Sequence, residues 1–264
     1  MFYIENSYCI SQKISHELNG DRAFQLCFET KPTNEDKIFI QCVLDGVSTA
    51  NDNYSSSLAC KILCEKLSPI LVNINRISTL SPSEKQTFFF EALKEAILEA
   101  DKKLYDDPIY CATTTSIAII FQNCIFTANI GDSPIYLANL QEKNIIELYT
   151  NHNEAGELKR KGIQLKNKAE LRKKQRHLNK SVGGKTLLSE SDISLISYVL
   201  PQESILILGS DGALSFLDEK ECEDIIFNNA ENMEALCHNL YYNVVEKDGY
   251  DDFTVFATRL KVSQ

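Results

Sequence analysis

The sequence predicts an α+β protein, and three observations carry that prediction. Apolar runs of strand length cluster at 22–28, 37–44, 113–140, 193–200, 204–212 and 252–260. Helical spacing occupies 55–72, 82–105 and roughly 218–245. Strands and helices therefore come in groups rather than in strict βαβ alternation. The chain has 264 residues, 44% hydrophobic and 24% charged, enough for a sizeable core. No internal repeat or low-complexity linker divides it, so one domain over 1–264 is expected.

Each element has its own signal. Residues 22–28, RAFQLCF, roughly alternate, and 30–36, TKPTNED, are turn-forming. Residues 37–44, KIFIQCVL, are apolar almost throughout, as in a strand covered on both faces. In 82–105, Phe88, Phe89, Leu93, Ile97 and Leu98 form one helical stripe, and Ser81-Pro82-Ser83 is a helix start. The stretch TTTSIAIIFQNCIFTANIGDSPIYLANL reads as two strands joined at Gln122-Asn123 and a third beyond Gly131-Asp132. Residues 157–180 differ in kind: ten are Lys or Arg, and the segment reads as an exposed helical insert. ISLISYVL and SILILGSDG follow as strands, then the helical stretch, then DFTVFATRL as a last strand.

Bulk properties exclude several classes. The net charge of −10 and pI near 5.0 argue against nucleic acid or an anionic membrane as the main partner. The first twenty residues lack a basic region followed by an apolar one, so no signal peptide is expected, and no apolar run approaches membrane-spanning length. Nine cysteines, none in a C-x-x-C pair, read as thiols of a protein of the reducing cytoplasm. Cys60 and Cys64 have no second ligand pair for zinc.

The aspartates point to chemistry. Asp45, Asp132 and Asp211 stand where three strands end, and Asp21, Asp251 and Asp252 where two begin. In an antiparallel sheet, strand ends and neighbouring strand starts share an edge, so these carboxylates gather. Six of the ten glycines, Gly20, Gly46, Gly131, Gly209, Gly212 and Gly249, lie within two residues of them. Carboxylates cannot crowd without counter-charge, and all-oxygen ligands suit Mg²⁺ or Mn²⁺. A pair of such ions suits phosphoryl chemistry. The rival machinery is missing: no phosphate-binding G-x-x-x-x-G-K-[ST] loop, no D-x-D and no G-x-S-x-G elbow.

Read in order, NGDRA, VLDGVSTA, TTTSIAIIF with ANIGDSPIYL, YTNHNEAGELKRKG, HLNKSVGG, LILGSDGALSFL and YDDFTVFATRL resemble the motifs of the protein phosphatase 2C (PPM) family, closest to its bacterial members. The resemblance covers nearly the whole chain. It implies a four-layer α-β-β-α sandwich of two antiparallel sheets flanked by helices. It implies hydrolysis of phosphoserine and phosphothreonine by a metal-activated water, with Mn²⁺ or Mg²⁺ as two ions and a third, weaker one. Carried over, Asp45 bridges two ions and Gly46 offers its carbonyl. Asp211 and Asp251, beside Asp252, complete the first ion. Asp21 holds waters of the second, and Asp132 serves the third with Asp211. The implied partners are a phosphorylated protein and a cognate Ser/Thr kinase.

Several positions depart from the family pattern. His16 stands where many members carry a phosphate-gripping arginine, and is the candidate phosphate contact. Gly20, Val47, Pro134 and Asn151 replace a Glu or Gln, a His, an Arg and an Asp of the family motifs, while His152 is retained. The Asn34-Glu35-Asp36 triplet stands too close to Asp45 to be the first motif and reads as a hairpin turn. The basic insert, at about 155–190, corresponds to the family's flap. With accessory groups thinned, a phosphoprotein-binding module without hydrolysis is the alternative.

Overall fold

The computed structural model describes residues 2–13, 18–29, 37–163, 167–247, 249 and 251–262, with 29, 168 and 169 described by backbone alone. His16 and the turn at 30–36, including Asn34-Glu35-Asp36, lie outside the described residues. In chain order the first elements are β1 (Phe2–Gln12), β2 (Arg22–Glu29), β3 (Lys37–Leu44), α1 (Asp52–Val72), α2 (Ile74–Ser78) and α3 (Pro82–Tyr105). Then come β4 (Ala112–Thr113), β5 (Thr115–Phe121), β6 (Cys124–Ile130), β7 (Ile135–Asn139), β8 (Asn144–Glu147), α4 (Glu154–Arg160) and α5 (Lys168–Gln175). The last are β9 (Val182–Gly183), β10 (Ser194–Val199), β11 (Glu203–Gly209), α6 (Asp211–Leu214), α7 (Glu219–Asn228), α8 (Met233–Glu246) and β12 (Phe253–Val262).

Two five-stranded antiparallel sheets form the centre, ordered β1-β12-β11-β7-β8 and β10-β6-β5-β3-β2. Side-chain alternation explains the layers. In β3, Ile38, Ile40, Cys42 and Leu44 pack with Phe89, Leu93 and Ile97 of α3 and with Leu63 and Leu67 of α1. Phe39 and Val43 point the other way, onto Leu206 and Leu208 of β11 and Ile135 and Leu137 of β7. Ile205 and Ile207 in turn face Leu236, Leu240 and Val244 of α8. Helices, sheet, sheet and helices therefore stack as four layers, and strands buried on both faces read as continuous apolar runs.

Helix α3 runs over the predicted residues. Ser81 caps it, accepting from the Glu84 amide while Glu84 returns a bond to the Ser81 amide. Phe89 is fully buried, with ring centroids 4.7 Å from Phe126 and 5.6 Å from Phe121.

Four expectations need correction. β1 was not foreseen: a bulge between Ile4 and Asn6 flips its faces, so Phe2 and Ile4 meet the inter-sheet layer while Tyr8 and Ile10 meet the helices. That slip destroys the period-2 signal. α1 begins three residues earlier than predicted, at Asp52. The stretch 218–245 is two helices, because Asn232 accepts from the Ala235 amide and starts α8 afresh. The basic segment is two short helices, α4 and α5, rather than one.

Candidate active site

Strand register brings the aspartates together. Arg22 pairs with Leu44, so Asp21 precedes β2 beside the point where β3 delivers Asp45. Gly209 pairs with Val255, and the Ser210 amide donates to the Thr254 carbonyl at 2.9 Å, which sets Asp211 beside the start of β12. The Thr114 amide donates to the Asp45 carbonyl at 2.8 Å, and Thr114 Oγ1 lies 2.6 Å from Ser133 Oγ. The loop carrying Asp132 is thereby joined to the loop carrying Asp45.

The consequence is electrostatic. Burial pushes the Asp45 carboxyl well above the usual carboxylate range, and Asp21, Asp211, Asp251 and Asp132 push it further. Burial raises Asp21 to about 7 against hydrogen bonds from Thr254 and Ser210, with Asp211 and Asp252 adding repulsion. Burial, then Asp211, raises Asp132 to about 8. Burial also raises Asp211, which a hydrogen bond from Asp45 and the positive charge of Arg176 pull back down. Asp21, Asp132 and Asp252 are buried, while Asp45, Asp211 and Asp251 are partly open to solvent and form the mouth.

Supporting groups fix each loop. Asp252 Oδ2 accepts from the Gly20 amide at 2.7 Å, tying the Asp21 loop to β12. Ser11 Oγ lies 2.7 Å from Thr254 Oγ1 and accepts from Asn19 Nδ2 at 2.9 Å. His152 Nδ1 accepts from the Gly131 amide at 3.2 Å. Burial, with help from Lys180 and Arg160, lowers His152 to about 4, so the ring is neutral and bears its proton on Nε2. Asn153 Nδ2 donates to Asp132 Oδ2 at 3.1 Å and to the Gln175 carbonyl at 3.0 Å. That one amide links the site to the end of α5. Ser11, Asn153, Ser210 and Thr254 escaped the sequence reading, since their partners are distant in sequence. Only Asn153 carried a signal, as the helix cap three residues before Gly156.

Glycine is required where backbones cross. A Cβ on Gly212 would stand 2.1 Å from the Asp252 carbonyl oxygen, and one on Gly46 2.5 Å from that of Asp52.

The donor set fits a hard divalent cation. It consists of carboxylates that repel one another, and Asp21 Oδ2 is buried with no hydrogen-bond partner among the described residues. Among the described residues no three acidic, imidazole or thiol side chains converge as a ready-made ion cage. In this arrangement Asp45 is turned to Asp211, and Asp21 to Ser210 and Thr254.

A family model described as protein phosphatase 2C matches residues 59–248. The chain belongs to the protein phosphatase 2C family. The matched span includes Asp132 and Asp211, while Asp21, Asp45 and Asp251 flank it. Among solved structures, a bacterial serine phosphatase superimposes with a TM-score of 0.76 at 18% identity, covering 99% of this chain and 100% of that one. The serine/threonine phosphatase of Staphylococcus aureus gives 0.74 at 16%, covering 99% and 96%. The PPM Ser-Thr phosphatase of Mycobacterium smegmatis, solved with cacodylate, gives 0.68 at 20%, covering 97% and 98%. These neighbours share the fold of the protein phosphatase 2C family. No curated protein matches the chain in sequence.

Proposed function

We propose that the protein is a metal-dependent phosphatase that hydrolyses phosphoserine and phosphothreonine in proteins. The observation that carries this reading is the shared edge of Asp21, Asp45, Asp132, Asp211 and Asp251, whose mutual repulsion calls for divalent cations, in a chain of this family. Asp45, Asp211 and Asp251, beside Asp252, would hold one Mn²⁺ or Mg²⁺. Asp45, the Gly46 carbonyl and Asp21 would hold a second, and Asp132 with Asp211 a third. When bound, such ions supply a water of lowered pKa and positive charge for the phosphate oxygens.

The chain's own groups do the rest. Asp252 and Asn19 hold the Asp21 loop, through the amides of Gly20 and Asp21. Neutral His152 and Asn153 hold Asp132. Arg176 brings positive charge to the Asp211 side, which favours phosphate in the mouth. We read His16 as a further phosphate contact and about 155–190 as a flap beside the mouth of a single 1–264 domain. Its basic surface, around Lys173, Lys174 and Arg176, suits acidic or phosphorylated partners. Nine cysteines with no disulfide among the described residues suit a cytoplasmic setting, with a Ser/Thr kinase as the opposing activity. No described helix is long and apolar enough to cross a membrane.

The thinned phosphate grip, with His16 and Pro134 where the family motifs have arginines, favours one alternative, a phosphoprotein-binding module that does not hydrolyse. One experiment separates the two. Phosphate release from p-nitrophenyl phosphate and a phosphothreonine peptide is measured with Mn²⁺, with Mg²⁺ and with EDTA, for wild type and Asp211→Asn. Metal-dependent release that the substitution abolishes is expected. No release by folded wild type in Mn²⁺ would overturn hydrolysis and leave the module.

A further inference from the structure

The surface beside the mouth carries an unexplained feature. Of the fourteen large apolar side chains exposed among the described residues, Tyr54, Tyr105, Ile109 and Tyr110 fall in two segments that touch. Their exposures are 39%, 44%, 47% and 44%. Asp107 clamps the segments together: its Oδ2 accepts from Tyr54 Oη at 2.9 Å and its Oδ1 from the Ile109 amide at 2.9 Å. The Asn51 amide donates to the Tyr110 carbonyl at 3.2 Å. The Tyr54 ring and the backbone at Ile109 and Tyr110 are therefore held in place rather than left on a loose loop. Exposed apolar clusters of this kind mark contact surfaces.

The cluster is continuous with the catalytic edge. The Val47 amide donates to the Ala112 carbonyl at 3.0 Å, Gly46 bridges Thr113, and the Thr114 amide reaches the Asp45 carbonyl. Thr114 stands four positions after Tyr110, about 13 Å of extended chain at roughly 3.3 Å per residue. A peptide with its phosphate at Asp45 covers that distance in three or four residues. The chemistry of the wall is one-sided. Segments 45–54 and 105–110 contain Asp45, Asp52, Asp106 and Asp107 and no Lys or Arg. Cations stand at its borders: Lys102 and Lys103 on α3 precede it, and Lys185 follows Gly184, whose amide donates to the Cys111 carbonyl at 2.7 Å. Tyrosine faces beside exposed carboxylate attract a guanidinium, whose aliphatic stem lies on the rings.

We propose that Tyr54, Tyr105, Ile109 and Tyr110, with Asp106, form a docking wall for an arginine three or four residues from the phosphoresidue of the substrate protein. The proposal rests on the phosphatase reading of the site and narrows its substrate class. Acid at this wall and base on α5 give the mouth a polarity that a phosphoprotein sequence must match.

The test uses phosphothreonine peptides that differ only in Arg, Ala or Glu at the third and fourth positions on either side. With full-length protein in Mn²⁺, kcat/KM is expected to favour Arg over Glu about fivefold on one flank. Tyr110→Ser should erase most of that ratio, and Asp106→Lys should invert it. Thermal melts confirm that each variant is folded, and two independent substitutions guard against one that is not. Equal rates for Arg and Glu peptides in wild type, or a ratio unmoved in both variants, overturn the wall. Loss of p-nitrophenyl phosphate turnover in wild type overturns the phosphatase reading instead. In that case fluorescence anisotropy of the same peptides reads the Arg preference as binding, and its absence there overturns the wall as well.

Discussion

The molecule carries two concentrations of charge, and they obey different physics. At the sheet edge, burial raises the carboxyls of Asp21, Asp45, Asp132 and Asp211, and repulsion from their neighbours raises the first three further. In the basic segment, Lys159 meets Glu147 at 3.0 Å, Lys161 meets Glu157 at 2.5 Å and Lys174 meets Glu154 at 3.1 Å, mostly in open solvent. Exposed pairs of that kind are screened and contribute little. The edge is strained by its charge and needs a ligand. The basic segment is at ease with its charge and is free to meet a partner. Substitutions should therefore act on the chemistry at the edge, and in the basic segment on partner recognition with hardly any effect on stability.

The largest expected effect is on turnover. Asp45→Asn or Asp211→Asn should lower metal-dependent phosphate release by at least about a hundredfold, the scale seen when one group of a preorganised electrostatic site is removed. The same variants replace a carboxyl already pushed toward its neutral form by a neutral amide, and should melt no lower than wild type in EDTA. A loss of activity accompanied by a lower EDTA melting point would mean that the edge is structural, and the contrast with the basic segment would fail.

Two glycines probe the contrast in backbone terms. Gly212→Ala places a Cβ 2.1 Å from the Asp252 carbonyl oxygen, so β12 or α6 must shift, at a cost of about 3 kcal/mol. Gly162→Ala, after α4, meets nothing within 4 Å but keeps φ at +74°. That costs about 1 kcal/mol, the ordinary left-handed penalty. Urea denaturation of both variants checks the order. Equal costs would show that the crowding at Gly212 relaxes.

The edge was legible in the sequence because an aspartate beside glycine at a strand end is a local event, and five such events point one way. The props were not legible. Ser210, just past β11, and Thr254, in β12, reach Asp21 from far along the chain, and a hydroxyl in such a place looks the same whether it holds a carboxylate or a carbonyl. That β3 is covered on both faces was readable from Ile38 to Leu44, and the four-layer order came only with the resemblance to the family, while β1 was hidden by one extra residue near Glu5. The two-residue strands β4 and β9 escaped because their single pairing, Ala112 with Gly183 and Thr113 with Val182, has no periodicity. Long-range hydrogen bonds and register slips are tertiary facts, and a pattern of single residues does not contain them.

Proton linkage separates the two regions next. Asp21 at about 7 and Asp132 at about 8 have folded values above their unfolded value of 3.8. Without metal, the folded state binds more protons than the unfolded one between those limits. The stability they contribute is full below about 4 and is lost as pH rises toward 8. In EDTA the melting point should therefore fall from pH 5 to pH 8. On the proposed function Mn²⁺ would bind the deprotonated edge, so at a hundred times its Kd it should add about 2.7 kcal/mol and flatten or reverse that slope. A melting point that rises with pH in EDTA would contradict the raised carboxyls.

A smaller effect belongs to the partner-facing side. Lys173→Glu with Lys174→Glu should lower the ratio of phosphopeptide to p-nitrophenyl phosphate turnover about tenfold, through peptide KM. An unchanged ratio would leave the basic surface as a solvated helix face.

The smallest expected effect is the most informative about the basic segment. Glu154 carries three contacts: it accepts from Lys174, it faces His177 Nδ1 at 3.3 Å, and its amide donates to the His177 carbonyl. Only the last survives Glu154→Ala, because it is made by the backbone. The two ionic contacts are solvent-exposed, and the charge that keeps the Glu154 carboxyl low is shared with open water. What joins α5 to the site is instead the backbone pairing of 152–154 with 177–179, together with Asn153, whose side-chain amide bonds both Asp132 and Gln175. Glu154→Ala should thus leave the melting point and the peptide ratio where they were, whereas Asn153→Ala should weaken Mn²⁺ binding measured by calorimetry. If Glu154→Ala lowers either quantity, the ion pairs rather than the Asn153 link hold the basic segment against the edge, and the two regions are one electrostatic unit.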